Sequence, residues 1–85
     1  MSNLYDNEND PFAGISMPSA ILDLLRCRLT AIARSTEALE VHLLSERAQG
    51  LIDALEVLNL LTVYELDSLY LIIENATLTR VKVLL

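Results

Sequence analysis

Tryptophan is absent, phenylalanine and cysteine occur once each, and only two glycines and two prolines interrupt the 85 residues. With a single cysteine, Cys27, no internal disulfide is possible, so the fold must be held by its core. So little glycine and proline argues against a turn-rich β-sandwich or barrel. Basic residues are scarce too: six Lys and Arg against twelve Asp and Glu give a net charge of -6, with none of the six between residues 48 and 79. Nucleic-acid binding proteins normally present a basic surface, and a cluster of Arg26, Arg28 and Arg34 is too small to supply one. Nucleic acid is therefore not expected as a partner.

What is abundant is aliphatic. The chain is 53% hydrophobic, carried by Leu, Ile, Val and Ala with only three Tyr and one Phe, which is the composition of a helix bundle. A domain of this size buries only about 60–65% of the surface its unfolded chain exposes, so more apolar surface is present than one small core hides. A membrane span within residues 51 to 73 is excluded by Asp53, Glu56, Glu65 and Asp67, each costing roughly 2.5–3.5 kcal/mol near a bilayer centre. The N-terminal "MSNLYDNEND" carries neither the basic region nor the apolar run of a secretory signal, and a reducing cytoplasm is the expected location.

Two regions are expected. Residues 1 to 15, rich in Asn, Asp and Glu with Pro11 and Gly14, read as a flexible acidic arm whose removal up to residue 12 leaves stability nearly unchanged. Residues 16 to 85 read as an all-α domain, a small antiparallel bundle of about three helices completed by dimerisation. Pro18 suits a first helical turn and Ser16 a cap. Leu22, Leu25, Leu29, Ile32, Thr36, Leu39 and Leu43 recur at alternating spacings of three and four, which predicts one helix to about residue 44. Ser45 reads as the cap of a second helix over 46 to 61.

The stretch "LLTVYELDSLYLIIEN", residues 60 to 75, contains the capping-box pattern Thr62 to Glu65, which predicts a third helix over 63 to 75 and a corner at Thr62. The final "TLTRVKVLL" alternates like a strand yet ends apolar, and either extends the helix or packs as a strand.

No residue set carries chemistry. Cys27 and His42 would stand about 22 Å apart on one helix, too far for nucleophile and base, and neither has a metal-ligand spacing around it. Glu65 and Asp67, two residues apart, point to different sides of a helix. The Asn75 to Thr77 sequon has meaning only on a secretory route. The chain is thus expected not to be an enzyme, with no catalytic residue, cofactor or metal.

The expected function is protein binding, by a small acidic regulator or inhibitor. Leu58, Leu61, Leu69 and Ile73 are the expected homodimer contacts, and Tyr64, Leu71, Asp67 and Glu74 the partner-binding patch. An acidic mimic of nucleic acid, or a regulator associated with nucleic acid, is the nearest alternative. A small ligand carrier or enzyme is the alternative of another class.

Overall fold

A computed structural model describes residues 10 to 85, which form three helices: α1 (Ser19–Arg34), α2 (Ala38–Val57) and α3 (Val63–Leu84). No strand occurs among the described residues, so the all-α expectation holds and the C-terminal alternation resolves as helix. Each helix packs against the other two. The Tyr70 hydroxyl donates to Asp53, residues nearly equidistant from the Thr62 corner, so α2 and α3 run antiparallel. Arg80 near the end of α3 reaches Ser35 at the end of α1, so α1 and α3 point the same way.

The long first helix expected to continue to residue 44 is instead broken at residues 35 to 37. Ser35 is extended (φ -64, ψ 142) and closes α1 through its amide to the Ile32 carbonyl. Its hydroxyl bonds locally, to the Glu37 carbonyl at 3.3 Å and the Glu40 carboxylate at 2.5 Å. Such hydroxyl bonding competes with helix continuation, and it outweighs the seven-residue apolar spacing. The expected seam is therefore shared by two helices: Leu25 and Ile32 are buried, whereas Thr36 lies in the connector and Leu39 is 74% exposed. Ser45 caps nothing; it is buried inside α2 and accepts from Gln49 Nε2 at 3.2 Å. Ser16 caps nothing either, because Pro18 itself occupies the α1 N-cap without a side-chain bond.

The second break follows the sequence more closely. Thr62 Oγ1 accepts from the Glu65 amide at 3.1 Å, and Glu65 Oε1 accepts from the Thr62 amide at 2.9 Å, completing the expected capping box. Helix α2 stops four residues earlier than expected. Asn59 adopts φ 59, its amide donates to the Glu56 carbonyl at 3.0 Å, and the Leu60 amide donates to Leu55 at 3.4 Å. This is a Schellman closure with Asn in the left-handed position usually taken by Gly.

The core follows from two spaced rows. Val41, Ser45, Ala48, Ile52 and Leu55 are buried along α2, and Leu66, Leu69, Ile73 and Thr77 along α3. Leu25 and Ile32 of α1 close the space between them. The buried hydroxyl of Thr77 is satisfied by the Ile73 carbonyl at 2.8 Å.

Residues 1 to 9, most of the expected arm, lie outside the described residues. Within residues 10 to 15 the expectation needs correction, because Phe12 is 1% exposed and belongs to the core. Asp10 builds the turn that aims it: its Oδ1 accepts from the Phe12 amide at 3.0 Å, its carbonyl accepts from Ala13, and Gly14 takes φ 90. Asp10 Oδ2 also meets Arg26 at 2.5 Å. Burial would raise the Asp10 pKa, but the Arg26 bond, the Phe12 amide and the guanidinium charge outweigh it and leave the carboxyl below 3.8.

Gly50 stands exposed in the middle of α2, where an added Cβ would meet nothing within 4 Å. Gly50→Ala is expected to stabilise the fold by about 0.5–1 kcal/mol through the lower entropy of the unfolded chain. Urea denaturation checks this as a higher midpoint at unchanged slope.

Candidate interaction surface

Helix α3 extends nine residues beyond its expected end at 75, and the extension changes what its outer side presents. Leu69 and Ile73, 0% exposed, mark the side turned to the core. On the opposite side stand Tyr64, Leu71, Leu78 and Leu85, each seven residues from the next and all exposed, Tyr64 at 84% and Leu71 at 56%. At about 100° per residue, seven positions return to nearly the same direction, so the four form one row along the helix. Asp67 and Glu74 lie beside it on one flank, Ser68 and Asn75 on the other, with Lys82 near its end; all five are exposed.

The residues expected from the sequence divide cleanly. Tyr64, Leu71, Asp67 and Glu74 share this outer side. Of the four expected dimer contacts, Leu69 and Ile73 are enclosed within the single chain and Leu61 is buried beneath the corner, so they offer no surface to a second copy. Only Leu58 is exposed, beside Val57, Leu60 and Val63 at the corner between α2 and α3. Leu78 and Leu85 were missed because the helix was expected to end before them. The seven-residue spacing from Tyr64 was the signal, and it is visible in the sequence.

A cleft of about 370 Å³ opens between α1 and α3, lined by residues that include Leu29, Ala33, Ile72, Ala76, Arg80 and Val83. Arg80 is not free to face an occupant through Nε, which donates to the Ser35 carbonyl at 2.7 Å and pins the α1 C-terminus. Cys27 and His42 are exposed on different helices. Arg26 pairs with Asp10 and Asp23 rather than with a neighbouring helix. Among the described residues no helix is long and apolar enough to cross a membrane.

Tyr70 ties α2 to α3 without joining the outer row. Its bond to Asp53, together with burial and the charges of Asp53 and Glu56, pushes its pKa up from 10.0 to about 12. Because the folded value is the higher one, this contribution to stability is complete below pH 10 and is lost as pH rises through about 12. Spectrophotometric titration should show one tyrosine ionising near pH 12, and Asp53→Asn should move that step back toward 10.

Compared with protein-family models, curated proteins and solved structures, the chain matches none.

Proposed function

We propose that this protein is a non-enzymatic interaction module, a small acidic regulator or inhibitor that binds another protein through the outer side of α3. One observation carries the reading: Tyr64, Leu71 and Leu78, continued by Leu85 at the C-cap, form an exposed apolar row on the side of α3 turned away from its buried residues. Exposed apolar surface of this continuity is characteristic of association sites. A helix presenting such a row supplies anchors for a groove or for another helix. Asp67 and Glu74 beside the row favour encounter with a basic partner surface and disfavour an acidic one. Because these carboxylates are interleaved with leucines, the arrangement supports a protein surface over a continuous mimic of nucleic acid.

The test compares wild type and Leu71→Glu as baits in extracts of the native host, with captured proteins identified by mass spectrometry. A specific protein recovered by wild type and lost with a folded Leu71→Glu variant is the expected result. Equal recovery by both would remove the outer row from the function.

A further inference from the structure

We propose that the cleft between α1 and α3 binds a medium-chain carboxylic acid, with the tail among apolar side chains and the carboxylate on the Arg80 guanidinium. At about 370 Å³, the cleft falls within the size range of small-molecule sites, roughly 300–1,000 Å³. Its apolar lining comes from Pro11, Leu29, Ala33, Ile72, Ala76 and Val83, and its polar groups are Asn75, Thr79 and Arg80. The chain has twelve Asp and Glu, yet none of them lines this cleft. An apolar trough with one cation and no anion suits an amphiphile with a single negative head.

Arg80 selects that head. It is half-buried, its Nε donates to the Ser35 carbonyl at 2.7 Å, and it forms no ion pair among the described residues. A partly desolvated cation is costly unless a counter-ion meets it. The Nε bond holds the guanidinium in place and leaves Nη1 and Nη2 for a carboxylate, which the planar fork receives through two parallel bonds. Glu40 does not take that role, since its carboxylate accepts from the Ser35 hydroxyl at 2.5 Å. The negative ends of the α1 and α3 dipoles would oppose an anion here, but Arg34 and Lys82 in the last turns of these helices offset them.

The tail fits the rest of the lining. Ile72 and Arg80 stand about 12 Å apart along the axis of α3 at 1.5 Å per residue, a length that an octanoate chain nearly spans. This site is separate from the outer row, because the adjacent residues Leu71 and Ile72 point about 100° apart around the helix.

Titration of the isotopically labelled full chain with octanoate, followed by amide NMR shifts, tests the assignment. Octanoate should saturate one site per chain with a Kd of about 1 mM or tighter, the affinity scale of so small a ligand. The shifts should centre on Leu29, Ala33, Ile72 and Ala76. Octanol, with the same tail and no charge, should bind about 10-fold more weakly. Arg80→Gln should bring octanoate down to the octanol level and leave octanol unchanged. Ala33→Phe, at an exposed position, should fill the cleft and weaken both while helicity persists. Shifts that stay linear without saturating would overturn the proposal, as would shifts centred on Leu71 and Leu78. Equal affinity for octanol and octanoate would also overturn it, making the cleft a seat for an apolar side chain of another polypeptide. A folded Leu71→Glu variant should still bind octanoate, so this site and the proposed function of the outer row fail by different measurements.

Discussion

Phe12→Ala should lower the stability of the domain by about 3–5 kcal/mol, the range for removing a fully buried phenylalanine. The ring is the only phenylalanine and among the largest enclosed side chains. For a domain whose total stability is of the order of 0.05–0.15 kcal/mol per residue, that loss leaves little. Guanidinium denaturation should show it as a lower midpoint. Acid should loosen the same segment: a carboxyl held below its usual 3.8 stabilises above that pH and loses its contribution as pH falls below it. Asp10→Asn should therefore flatten the acid limb of the stability curve. A Phe12→Ala variant as stable as wild type would return residue 12 to the arm.

Two residues apart on α3, Leu69→Glu and Leu71→Glu should have opposite consequences. Leu69 is completely enclosed, and a carboxylate there must either stay charged in an apolar core or take up a proton, each costing several kcal/mol. Circular dichroism should show that variant largely unfolded. At Leu71 the new carboxylate points to water, so helicity and melting temperature should stay close to wild type. Association is where Leu71→Glu should act, because the charge would have to be desolvated in any interface centred on it, and binding should fall by more than about 100-fold. An unfolded Leu71→Glu variant would show that side chain to be core, and the row would lose its central residue.

Local chemistry at Thr62 and Glu65 was legible because a capping box needs only four residues. The outward position of Tyr64 and Leu71 was legible because helical periodicity alone sets it. The misread parts are those where two signals compete. Thr36 kept the heptad spacing, yet the hydroxyl of Ser35 beside it ended the helix. Asn59 carried the left-handed conformation that Gly would have announced more plainly, so α2 was extended to residue 61. Leu69 and Ile73 are enclosed within one chain because an α3 that runs to Leu84 and a docked Phe12 supply cover that a helix ending at 75 and a free arm do not.

The central claim is that the outer row of α3 meets another polypeptide, and site-specific photo-crosslinking in the native host tests it most directly. A photoreactive residue at position 71 should give discrete protein adducts, to a second copy or to a target, while the same residue at exposed Glu46 on α2 should give few. Adducts no more frequent or specific at position 71 than at position 46 would contradict the account.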